Sequence, residues 1–68
     1  MTLQEKIMFN VLQAIHKGGT GIEQAPDRAY LNALEAIGYI NIGWDTTLTN
    51  EGDSQYKRLL DKQWNEKS

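Results

Sequence analysis

Apolar positions recur with a helical period at both ends of the chain and near its middle, and they alternate in one short stretch between. Leu3, Ile7, Met8, Val11, Leu12 and Ile15 are spaced 4, 1, 3, 1 and 3 residues apart, one stripe of a 3.6-residue helix. Thr2-Leu3-Gln4-Glu5 opens this stripe as a capping box, in which the threonine oxygen accepts from the Glu5 amide and Glu5 reaches back. His16 and Lys17 suit the negative end of the helix dipole, and Gly18-Gly19 stop the helix, predicted over residues 2–17. A second stripe, Ala29, Tyr30, Ala33, Leu34 and Ile37, predicts a helix over 26–37. Pro26 fits its first position, where a missing N–H costs nothing, Asp27 follows in the first turn, and Gly38 ends it. Its outward face then holds Asp27, Arg28, Leu31, Asn32 and Glu35.

The stretch between these helices, Gly-Gly-Thr-Gly-Ile-Glu-Gln-Ala, has one lone aliphatic and predicts a loop or a short strand through Thr20–Ile22. After Gly38, Tyr39-Ile40-Asn41-Ile42 alternates, Gly43-Trp44-Asp45 is turn-like, and Thr46-Thr47-Leu48-Thr49 is β-branched, which together predict a hairpin. Thr49 then caps a third helix with Tyr56, Leu59, Leu60 and Trp64 on one face and Lys57, Arg58, Asp61 and Lys62 on the other. Gly52 in its first turn costs about 1 kcal/mol relative to alanine. The expected fold is α+β, three helices with one short β-hairpin, in a single domain over residues 1–68.

Length and composition narrow the function. A chain of 68 residues buries only about 60% of its unfolded surface, so Tyr30, Tyr39, Trp44, Tyr56 and Trp64 are expected first as packing residues. With no cysteine there is neither a disulfide framework nor a thiolate nucleophile. No apolar run approaches a membrane span and no signal-like segment is present, so a cytoplasmic location is expected. A net charge of −2 excludes a strongly basic nucleic-acid binder. Catalysis is not expected: His16 is the single histidine, and Gly18-Gly19-Thr20-Gly21 follows a helix and lacks the Lys-Ser/Thr of a phosphate loop. Asp45, Glu51 and Asp53 lack the spacing of a calcium loop, so no metal and no cofactor is expected.

The run Tyr30-Leu31-Asn32-Ala33-Leu34-Glu35-Ala36-Ile37-Gly38-Tyr39-Ile40, followed nine residues later by Thr49-Asn50-Glu51-Gly52, resembles the winged helix-turn-helix family of small MarR- and PadR-like regulators. In that family a recognition helix runs through a similar "aLe..Gyi" into the first wing strand, and the second wing strand ends in "LT.eG", matched by Leu48-Thr49-Asn50-Glu51-Gly52. The resemblance covers about residues 26–52. It implies a winged-helix-like fold, with helix 26–37 presented to the major groove of double-stranded DNA. Two departures stand out: the family's supporting helix shrinks to about one turn around Ile22–Ala25 or is absent, and the short wing carries Asp45 where the family has Arg or Lys.

In the family's pose Arg28 reads guanine and Asn32 adenine by bidentate hydrogen bonds. Lys17, Thr46 and Thr47, with Lys6 and His16, touch the backbone. So few cations on one copy imply a homodimer. The brevity of the chain suits a phage or mobile-element regulator. The competing expectation is a protein-interaction module, a small inhibitor or adaptor, in which Phe9, Leu31 and Trp44 form an anchor patch. Phe9 and Leu31 lie off their core stripes, and clustered exposed apolar side chains mark contacts.

Overall fold

The computed structural model describes residues 1–67. The elements run α1 (Leu3–His16), α2 (Arg28–Ile37), β1 (Ile40–Ile42), β2 (Thr46–Leu48) and α3 (Asn50–Lys67), a small α+β fold in the expected order. Of the two expectations for residues 18–25, the loop is what forms. It closes as one isolated turn, with Ala25 N–H donating to the Gly21 carbonyl at 3.0 Å.

Local chemistry sets the element ends. The Thr2–Glu5 capping box starts α1, and both of its hydrogen bonds are present. At its other end Gly18, at φ 98°, lets Gly18 and Gly19 donate to the carbonyls of Ile15 and Ala14. Gly38, also left-handed at φ 98°, ends α2 in the same way, with Tyr39 N–H returning to the Leu34 carbonyl. The start of α2 corrects the expectation for Pro26. The helix begins at Arg28, and Asp27 is extended and accepts from Tyr30 N–H at 2.9 Å. A carboxylate that satisfies an orphan amide caps more strongly than a proline ring, so Pro26 lies outside the helix.

β1 and β2 pair antiparallel, Ile40 with Leu48, Asn41 with Thr47 and Ile42 with Thr46. Thr49 joins three elements: its hydroxyl donates to the Gly38 carbonyl and accepts from Gly52 N–H, and its own N–H goes to the Tyr39 carbonyl. Gly52 is buried where a Cβ would overlap the Tyr39 carbonyl, so the glycine is required by the close approach of α3 to the hairpin.

The core is Phe9, Val11, Leu12, Ile15, Leu31, Leu34, Ile40, Tyr56 and Leu59. Tyr30 and Tyr39 pack against it at its margin, as expected of them. Three other expectations are corrected. Phe9 is 5% exposed and stacks on Tyr56 with ring centroids 5.6 Å apart, because α1 is covered by both α3 and the hairpin and needs a wider apolar arc than one stripe. Leu31 is 6% exposed, whereas Ala29, Ala33 and Ile37 face outward, so α2 is turned about its axis from the orientation its stripe suggested. Its neighbour is the hairpin, and the Glu35 carboxylate, accepting from Ile42 N–H at 2.9 Å, ties the two in that orientation. Trp44 and Trp64 lie on the exposed surface and not in the core.

Candidate functional site

The rotation of α2 decides what the surface offers. With Leu31 and Leu34 turned inward, Arg28 and Asn32 lie on the exposed flank that faces the hairpin. The hairpin is short, so its tip, Gly43-Trp44-Asp45, stands beside that flank. The glycine-rich loop closes the third side. Together they enclose an open groove of about 280 Å³, walled by Gly18, Gly19 and Thr20 of the loop, by Arg28 and Asn32 of α2 and by Thr46 of β2. Ile22, Ile42 and Trp44 form its apolar rim, with Leu31 at its base. The volume falls just under the roughly 300–1,000 Å³ of enclosed small-molecule sites.

Five residues singled out by sequence thus meet in one place: Arg28, Asn32 and Thr46 from the DNA expectation, Leu31 and Trp44 from the protein one. The others lie elsewhere. Thr47 lines a second cleft, beside His16, that adjoins the groove at Gly18, Asp45 and Thr46, and Lys17 is exposed in the turn that ends α1. Lys6 borders a shallow depression with Asn10 and Glu66. Phe9 belongs to the core and carries no surface role at the groove. Ile22 and Ile42 were missed by sequence reasoning. The one signal for Ile22 was its position as a lone aliphatic among glycines, which gave no sign of which neighbour it would face.

The electrostatics of the groove are set by which charges are already engaged. The Asp27 and Glu35 carboxylates accept backbone N–H groups, as a helix cap and as the tie to β1. Arg28 and Lys17 take part in no ion pair among the described residues, whereas Lys57 and Lys62 are paired with Asp53 and Glu5. Asp45 is the one carboxylate in the groove wall. Burial pushes the Tyr30 phenol above its ordinary value, so it stays neutral at the flank of α2. Among the described residues no group of three or more His, Asp or Glu is placed to hold a metal ion, and no helix is long and apolar enough to cross a membrane.

No protein-family model, curated protein or solved structure matches this chain.

Proposed function

We propose that the chain is a small regulatory DNA-binding protein of winged helix-turn-helix type that presents α2 to the major groove. The observation that supports this reading above all is the meeting of Arg28, Asn32 and Thr46 on one exposed groove, with the Arg28 guanidinium in no ion pair among the described residues. Arg28 supplies a bidentate donor pair for guanine, and Asn32, one helical turn on, a donor and acceptor for adenine. Thr46 and the loop residue Thr20 then meet phosphates from the hairpin and loop sides. Backbone capping holds Asp27 and Glu35, which lowers the repulsion their charges would exert on phosphate. One copy offers few cations, so the affinity rests on two copies bound to adjacent half-sites.

The resemblance over residues 26–52 adds weight, because the stretch it covers contains α2, Gly38 and the hairpin that build the groove. A second reading rests on a different observation, the complete exposure of Trp44 beside Ile22 and Ile42, which fits a protein partner anchored by an aromatic side chain. Substitution separates the two. Arg28→Ala weakens binding to a labelled duplex by about tenfold under the first reading. Trp44→Ser leaves duplex binding within about twofold if Trp44 serves a protein partner only. Duplex binding insensitive to Arg28→Ala and Asn32→Ala would remove the DNA reading.

A further inference from the structure

The hydrogen-bond pattern of the hairpin leaves one of its two edges open. Thr49 N–H donates to the Tyr39 carbonyl, which makes residues 39 and 49 a hydrogen-bonded pair. Antiparallel ladders alternate, so Asn41 and Thr47 form the next such pair. The N–H and C=O groups of Ile40, Ile42, Thr46 and Leu48 therefore point away from the partner strand. On β1 this edge is guarded, because Ile42 N–H is taken by Glu35. On β2 it is not: among the described residues the backbone N–H and C=O groups of Thr46 and Leu48 have no hydrogen-bond partner outside the ladder.

That edge lies in a cleft. The whole of β2 and its flanks, Asp45 to Thr49, forms one wall of a cleft of about 630 Å³, while Ile15 and His16 of α1, Gly18 after it, and Asn50 and Asp53 of α3 line the remainder. We propose that this edge is a strand-addition site for a short, extended, basic segment of a partner protein. Outward amides and carbonyls at Thr46 and Leu48, two residues apart, match the spacing of an added strand. The side chains at the cleft set its charge. Among the described residues Asp45 has no ion-pair partner and Asp53 shares Lys57 at 3.0 Å, while His16 lines the α1 side with its imidazole stacked on Tyr56. A second copy pairing edge to edge would bring Asp45 and Asp53 of both copies together, which disfavours self-association and favours Lys- or Arg-bearing strands. The cleft adjoins the α2 groove and shares Gly18, Asp45 and Thr46 with it, but it is used through the backbone edge of β2, and its occupation does not require DNA binding.

The test titrates the full chain with the blocked peptide Lys-Val-Lys-Val-Lys and follows backbone amide shifts and hydrogen exchange. The expected result is slowing of Thr46 and Leu48 exchange by about tenfold, with shifts confined to 45–49 and the facing turn of α1. The acid counterpart Glu-Val-Glu-Val-Glu and a peptide N-methylated at alternate residues are expected to give no such protection. Asp45→Lys, an exposed tip substitution, is expected to weaken the basic peptide about fivefold while strengthening duplex binding, so the two proposals fail independently. The proposal is overturned by unchanged exchange at saturating peptide, by equal protection from the acidic peptide, or by protection that rises with protein concentration alone, which would mean edge pairing between copies.

Discussion

Gly52 and Phe9 show how single side chains are set by neighbours distant in sequence. Gly52 reads locally as a mild helix defect, yet α3 crosses the hairpin so closely that a Cβ there has no room beside the Tyr39 carbonyl. Gly52→Ala is expected to destabilise by about 3 kcal/mol, read as a lower urea midpoint with an unchanged slope. An unchanged midpoint would show that the α3–hairpin approach is looser than described. Phe9 follows Met8 directly and falls outside the stripe, but α1 is covered on two sides. Phe9→Ala is therefore expected to cost about 3 kcal/mol or more and to leave the duplex affinity of the folded fraction unchanged. Neither role was legible in the sequence, because periodicity reports the width of a buried arc only when one neighbour covers the helix.

Helix and strand ends were far more legible than helix orientation. The capping box at Thr2, the glycine stop at Gly38, the hairpin around Gly43–Asp45 and the Thr49 cap all rest on chemistry within four residues, and all form as expected. The start of α2 was misjudged by two residues, because proline and aspartate both favour a first turn and only the hydrogen bond to Tyr30 N–H separates them. Asp27→Ala is expected to lower stability by about 1 kcal/mol, and Pro26→Ala by much less; the opposite order in thermal melts would restore proline as the first helical residue. Which way α2 faces was not legible, since Ala29, Ala33 and Ile37 make as good a stripe as Leu31 and Leu34. The tie from Glu35 to Ile42 holds the observed orientation, so Glu35→Ala is expected to speed amide exchange at Ile42 several-fold while Asn41, paired with Thr47 in the ladder, stays protected. The groove inherits this history: its residues were named from the sequence, but their meeting depended on the turn of the helix.

Long-range charges close the molecule end to end. The Lys62 ammonium hydrogen-bonds Glu5 at 2.7 Å, and the amino terminus pairs with Glu66, so α1 and α3 are joined near both chain ends. The hydrogen bond from Lys62, helped by Thr2 N–H, lowers the Glu5 carboxyl from its ordinary 4.5 to about 2. A carboxyl with a depressed native value binds its proton more readily in the unfolded chain, so its stabilising effect is present above 4.5 and is lost as the pH falls toward 2. Glu5→Gln is expected to flatten the acid arm of stability in that window, and an arm as steep as the native one would show that other carboxylates set it. The Lys62 value is raised by the same contact, in agreement with the pair.

The whole account turns on a groove whose working charge is Arg28 and whose affinity for phosphate is electrostatic. The most direct measurement is a salt series of fluorescence anisotropy on a labelled random duplex, run side by side for the native chain and Arg28→Ala. Native binding that weakens linearly in log–log form with rising salt, and a slope smaller by about one for Arg28→Ala, is the predicted result. Absence of binding at low salt, or equal slopes for the two proteins, would contradict it.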